Sequence, residues 1–279
     1  MTRNDLESGN DMAIRLVALD MDGTLLNSGK ELPPDFLPWV KAHPDILTVI
    51  GSGRPRGGLR DYFDENWQIV YLCDNGAMVY RGEQLLFSQP MPLPHVSSIL
   101  TFLSGHQGVV PVISSAGCAY VPEVGASEWR EIHRFYRDLK VCHDLIGAAR
   151  QDPVAKVALY LPKGNSEEFA RELDRAALPV LHACSGKDWI DLMEPGVNKG
   201  SALRQTMDRM GIARGECMAF GDYMNDIEML RSADFSFAMG NATQEVKNVC
   251  RFVTSSNDED GVMRILRGIG PDGKWEEIG

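Results

Sequence analysis

Two aspartates one residue apart, Asp20 and Asp22, follow directly on the apolar run Ile14 to Leu19 and lead into Gly23-Thr24. Successive side chains of an extended strand point to opposite faces, so Asp20 can meet a ligand directly while Asp22 has to be brought round by the turn that Gly23 permits. Three further polar groups stand just after apolar runs or at a helix start: Ser52 in Gly51-Ser52-Gly53-Arg54, Lys199 in Asn198-Lys199-Gly200, and Asp222 after Gly221. Asp226 lies four residues beyond Asp222 with Asn225 between them, a spacing that brings all three near one helix N-terminus, where partial positive charge favours acids and phosphate. Hard oxygen ligands from Asp20 and Asp222, with few other protein donors, suit Mg²⁺, which keeps several waters and shares its coordination with a phosphate. The combination points to phosphoryl chemistry. Taken singly, Ser52 reads as a turn residue, Lys199 as a solvated helix lysine and Asp226 as a first-turn acid; jointly they favour the chemical reading.

The elements needed to position these groups are legible in the pattern of apolar residues. Ile14 to Leu19 is apolar on both faces, as in a parallel strand covered on both sides. Asp35 to Ala42 reads as a short helix after Pro33-Pro34, Ile46 to Ile50 as a strand, Arg56 to Phe63 as a helix, and Ile69 to Cys73 as a third strand ending in the Asp74-Asn75-Gly76-Ala77 turn and a small hairpin. Such alternation gives a parallel sheet, and ligands of open α/β sheets bind at the carboxyl ends of its strands. From about Gln84 the pattern changes to two hairpins, Val109 to Val121 and Val180 to Met193, with helices expected at 95–103, 127–139 and 166–177 and a strand at 156–161; hairpins imply antiparallel pairing. The βα alternation resumes at Asn198. The economical organisation is a tail over 1–11, a parallel-sheet core from 12–83 and 195–279, and an inserted α+β domain over 84–194.

With 279 residues, two domains are the natural expectation. A net charge of -11 opposes non-specific attraction to nucleic acid or anionic membrane. It leaves room for an anionic small molecule, because a local cation can reverse the field. The six cysteines form no C-x-x-C pair and no zinc-type spacing, so reduced thiols are expected. The first eleven residues are polar with no apolar stretch of signal-peptide kind, and no run is long enough to span a bilayer. A cytoplasmic protein, monomer or homodimer, acting on a small phosphorylated metabolite without nucleic-acid or membrane partners is the expectation.

At this point the sequence resembles the haloacid dehalogenase superfamily of phosphatases, and within it the Cof-type hydrolases. The resemblance is carried by D-x-D-G-T at Asp20 to Thr24, by Ser52 after its strand, by Lys199 at a helix start and by G-D-x-x-N-D at Gly221 to Asp226, four motifs in order. Asn75-Gly76-Ala77 and the segment Asn257 to Val262 also look like Cof-type sequence. The resemblance implies a Rossmann-like α/β core with a type-two cap of subtype B, and a Mg²⁺-dependent phosphatase. Asp20 would be the nucleophile that forms an aspartyl phosphate, and Asp22 the acid and base, with its backbone carbonyl on the metal. Ser52, helped by Gly53 and Arg54, would hold phosphoryl oxygens, and Lys199 would offset charge. Asp222 would ligate the metal beside Asp20 and Asp22, and Asn225 and Asp226 would support that side of the site. The cap, 84–194, would read the leaving group. A phosphomutase, or a phosphate sensor without turnover, would use the same fold.

Overall fold

The structure, a computed structural model, describes residues 13–63 and 69–276; the expected N-terminal tail, 1–11, lies outside these residues. In chain order the first elements are β1 (Leu16–Asp20), α1 (Phe36–Ala42), β2 (Leu47–Gly51), α2 (Arg60–Phe63), β3 (Ile69–Cys73), β4 (Met78–Arg81) and β5 (Gln84–Ser88). The middle of the chain adds α3 (Leu93–Leu103), β6 (Val110–Ser115), β7 (Ala119–Val121), α4 (Ala126–Phe135), β8 (Leu139–Val141), α5 (Leu145–Gln151), β9 (Val154–Tyr160), α6 (Ser166–Ala176), β10 (Leu181–Cys184) and β11 (Trp189–Met193). It closes with α7 (Lys199–Met210), β12 (Cys217–Gly221), α8 (Ile227–Leu230), β13 (Phe235–Ala238), α9 (Gln244–Val249), β14 (Phe252–Val253) and α10 (Gly261–Leu266).

Two compact units result. One comprises the chain through Ser52, Tyr62–Gln84 and Asn198 onward; the other comprises Gly53–Asp61 and Leu85–Val197. Against the expected bounds, Gln84 falls in the first unit and 195–197 in the second, and the larger difference is Gly53–Asp61, which also groups with the second unit. The reason is visible at its first residue: Lys156 of β9 donates to the Gly53 carbonyl at 3.0 Å.

The sheet of the first unit runs β14-β13-β12-β1-β2-β3-β4. Its strands from β14 to β3 are parallel, and β4 turns back antiparallel on β3. All five residues of β1 are buried, which is what its two-sided apolar run requires. Because β1 is flanked by β2 on one side and β12 on the other, the chain connections diverge at β1, and the crevice beyond its carboxyl end is the natural ligand position. Phe220, Phe237 and Phe252 stack across β12, β13 and β14 with ring centroids 4.9 Å apart. Phe220 and Phe237 are buried, and a phenylalanine so placed contributes about 1.5–3 kcal/mol. The helix α7 is started by a reciprocal cap: the Asn198 side chain accepts from the Ser201 N–H at 2.8 Å, and Ser201 Oγ accepts from the Asn198 N–H at 3.0 Å.

The second unit is a six-stranded sheet in the order β10-β11-β9-β6-β7-β8. One apolar cluster gathers Val96, Ile99, Val157, Phe169 and Ile190; another gathers Val112, Ile132, Tyr136, Ala158 and Trp189. The expected helix over 127–139 stops at Phe135, because Tyr136 adopts extended backbone and buries its ring against Trp189 at 6.1 Å. The chain then enters β8, which pairs parallel with β7, so α4 is a crossover helix and the unit is not purely hairpin-built. Neither β8 nor α5 is evident in the sequence, since both are short and weakly periodic. His95, His106 and His182 pair with Glu194, Glu172 and Asp174 within this unit. No helix among the described residues is long and apolar enough to cross a membrane.

One turn of the first unit constrains its neighbour tightly. Gly76 has φ +94°, and a Cβ there would lie 2.5 Å from the Asn198 carbonyl oxygen at the start of α7. Gly76→Ala should therefore lower stability by about 1–3 kcal/mol through backbone strain and overlap. Denaturant unfolding measures this; an unchanged midpoint would contradict the close approach.

Candidate active site

The register of the sheet brings the polar strand ends together. Asp20 of β1 stands opposite Gly51 of β2, one residue before Ser52, while Leu19 pairs with Phe220 of β12, so the Gly221-Asp222 end of β12 lies alongside Asp20. Gly23 turns the chain after Asp22 with φ +91°, and a Cβ there would sit 2.5 Å from Asp222 Oδ2. Thr24 Oγ1 donates to Asp222 Oδ1 at 3.0 Å, which orients that carboxylate.

Lys199 is the centre of this arrangement. It is fully buried, and its ammonium hydrogen-bonds Asp20 Oδ1 and, at 2.7 Å, Asp226 Oδ1. Asp226, also fully buried, accepts with its other oxygen from the backbone N–H groups of Asp222 and Tyr223, each at 3.1 Å. Asp226 thus closes the turn between β12 and α8 while holding the lysine. Burial raises the Asp20 carboxyl above its ordinary range, the Asp226 charge adds to this, and Lys199 pulls the other way. Burial opposes a charged Lys199, yet the two carboxylates win and keep the ammonium protonated. Burial and the Asp226 charge raise Asp222 likewise.

The remaining expected residues are placed as follows. Asp22 turns its carboxylate to Lys30, 2.8 Å away and half exposed, in the loop before α1. Ser52 is buried; its N–H is used by the Leu72 carbonyl and its carbonyl accepts from the Asn75 N–H, both at 2.9 Å. Its backbone N–H and carbonyl therefore both serve the protein's own backbone. Asn225 is exposed, and its Nδ2 donates to Asn75 Oδ1 at 3.2 Å. Gly53 and Arg54 belong to the second compact unit. Reading by sequence missed the roles of Thr24, Lys30 and Asn75 and of Asn241, whose Nδ2 donates to the Gly23 carbonyl at 2.8 Å. Thr24 had a signal, as the last polar residue of D-x-D-G-T; Lys30 and Asn241 had none.

Ligand oxygens of Asp20, Asp222 and Asp226 lie within 4.8 Å of one another. Both oxygens of Asp226 already carry hydrogen bonds, so Asp20 and Asp222 are the pair that would hold a cation, with Asp226 behind them. Three carboxylates face one ammonium, and such an excess of buried negative charge is what a divalent metal offsets. The donors are all oxygen, which selects a hard cation. The Asp22 side chain is not one of this group.

The chain matches the family model of haloacid dehalogenase-like hydrolases over residues 17–266. It is 29% identical, over 91% of its length and 96% of the relative's, to the 5-amino-6-(5-phospho-D-ribitylamino)uracil phosphatase YbjI of Escherichia coli K12. A Bacillus subtilis phosphatase described in the same words, YitU, is 28% identical over 90% of this chain and 96% of its own. Among solved structures, SMU.1108c from Streptococcus mutans UA159 superposes with a TM-score of 0.76 at 28% identity, covering 91% of this chain and 98% of that one. With buried Asp20 and Asp226 and part-buried Asp222 at adjoining strand and turn ends, and a family match over nearly the whole described chain, the protein belongs to the haloacid dehalogenase-like hydrolases, as an enzyme of their phosphatase branch.

Proposed function

We propose that the protein is a Mg²⁺-dependent phosphatase of small phosphomonoesters that works through an aspartyl phosphate on Asp20. The observation that carries this reading is the buried Lys199 ammonium held between Asp20 and Asp226, with Asp222 beside them. Lys199 fixes Asp20 Oδ1, which leaves the second carboxylate oxygen to attack phosphorus. Attack breaks the bond to the leaving alkoxide and forms the acyl phosphate, splitting one hard displacement into two easier ones. Asp22 gives its proton to that alkoxide and then takes one from the water that cleaves the acyl phosphate, which frees inorganic phosphate and regenerates Asp20. Ser52 binds phosphoryl oxygens. Lys199 stays protonated and offsets charge on the nucleophile. Bound between Asp20 and Asp222, Mg²⁺ would supply Lewis-acid polarisation of the phosphoryl group.

The substrate class follows from what the relatives' names say of them. Two of those described above are phosphatases of a ribitylamino-uracil phosphate, so a phosphorylated open-chain sugar alcohol joined to a flat heterocycle is the first metabolite to test here. The net charge of -11 places such an anion's attraction in the local cations, Lys199 and the metal, not in the surface as a whole.

Chelation by EDTA should abolish hydrolysis of an aryl phosphate and Mg²⁺ should restore it, while Ca²⁺, with longer and more variable coordination, should restore little. Mg²⁺ at 100 times its dissociation constant should also stabilise the fold by about 2.7 kcal/mol, read as a higher melting temperature. Full activity in demetallated protein, or no thermal shift with Mg²⁺, would remove the metal from the account.

Asp22→Asn should slow turnover by about 10²–10⁴-fold through loss of proton transfer. Because Asp22 is partly exposed and its ion pair with Lys30 is solvent-facing, the melting temperature of this variant should stay near wild type. Wild-type kcat in this variant would assign the acid elsewhere.

A further inference from the structure

The turn after β3 is not used by the chemistry above, yet it touches most of the parts that are. Three consecutive residues there have left-handed backbone: Asp74 with φ +50°, Asn75 with φ +56° and Gly76 with φ +94°. Glycine reaches this region freely, and aspartate and asparagine are the side-chain-bearing residues that reach it most readily. Backbone held in such a conformation over two non-glycine residues marks a segment that its surroundings over-determine. What the conformation achieves can be read from the bonds. The Asn75 N–H points at the Ser52 carbonyl, 2.9 Å away; the Asn75 Oδ1 accepts from Asn225 Nδ2 at 3.2 Å; and Gly76 closes on the Asn198 carbonyl that starts α7. An extended or right-handed residue at position 75 would aim its N–H and its side chain elsewhere, and one residue could not reach both loops.

Resting on the phosphatase reading of this same site, we propose that Asn75 is a positioning residue for it. Its backbone fixes the peptide that carries Ser52, its amide fixes Asn225 next to Asp226, and so it sets the separation between the β2 loop that binds phosphate and the β12 loop that carries Asp222 and Asp226. The amide bond to Asn225 is solvent-exposed, so its worth to folding is small, and its effect belongs to alignment. Reacting groups misplaced by a fraction of an ångström lose rate in the transition state while ground-state binding persists, so the effect falls on kcat.

The test uses Asn75→Gly, which keeps the left-handed backbone and its N–H without strain and removes only the amide. Its melting temperature should stay within about 2 °C of wild type, because glycine tolerates this φ. On an aryl phosphate with Mg²⁺, kcat should fall about 5- to 10-fold with KM changed less than about twofold, the size set by one hydrogen bond. Asn225→Ala should give a similar loss, and the double variant should be no slower than the slower single one, since both remove the same bond. A kcat for Asn75→Gly within twofold of wild type, losses that multiply in the double variant, or a loss confined to KM would each overturn the inference. Wild-type protein that hydrolyses nothing would overturn the phosphatase reading instead. In that case the side-chain amide resonances of Asn225 decide: in selectively labelled protein Asn75→Gly should move them, and unmoved resonances would overturn the positioning role regardless of turnover.

Discussion

One buried ammonium organises the chemical half of this molecule. Lys199 has no exposed surface, and the two carboxylates it bonds, Asp20 and Asp226, are themselves buried. Removing one partner of such a pair commonly costs about 3–5 kcal/mol, because the charge left behind is neither solvated nor matched. The three residues come from β1, α7 and the turn after β12, so the ion pair fixes three elements that are far apart in sequence. It also explains why Lys199 stands at the first position of α7 and not on a solvated face: the reciprocal cap of Asn198 and Ser201 sets where the helix begins, and hence where the ammonium points.

The balance of charge is the other half of that constraint. One ammonium does not neutralise Asp20, Asp222 and Asp226 together, and burial lifts the carboxyls of Asp20 and Asp222 above their ordinary range. A site left in that condition favours whatever brings positive charge to Asp20 and Asp222, which is the electrostatic reason for a divalent cation there. Thr24, through Asp222, and Asn241, through the Gly23 carbonyl, keep the first loop in register with the β12 side. These neutral contacts add no charge and so leave the imbalance in place.

Much of this was legible before the structure. The run Ile14 to Leu19 reads as a doubly covered strand and Gly221-Asp222 as an acid at a second strand end, and the sheet places these two ends side by side. The depth of Lys199 was not legible, because a lysine in a helical pattern looks like a solvated one until the partners that bury it are placed. The grouping of Gly53–Asp61 with the second unit was not legible, since a contact such as Lys156 to Gly53 spans about a hundred residues and leaves no local trace. In the same way Tyr136 ended an apparently continuous helix because its ring had a place against Trp189, a tertiary preference that overrides helical periodicity. Side-chain amides such as Asn75 and Asn241 act through geometry and are silent in composition.

The claim on which the account turns is that Asp20 forms a covalent bond to phosphorus. Quenching the enzyme during turnover of a phosphomonoester and reducing it with borohydride converts an acyl-phosphorylated aspartate to homoserine, which peptide mass spectrometry locates. The account predicts homoserine at position 20, absent without substrate and absent in Asp20→Asn. Homoserine at another aspartate, or turnover by Asp20→Asn at a rate near that of wild type, would contradict it.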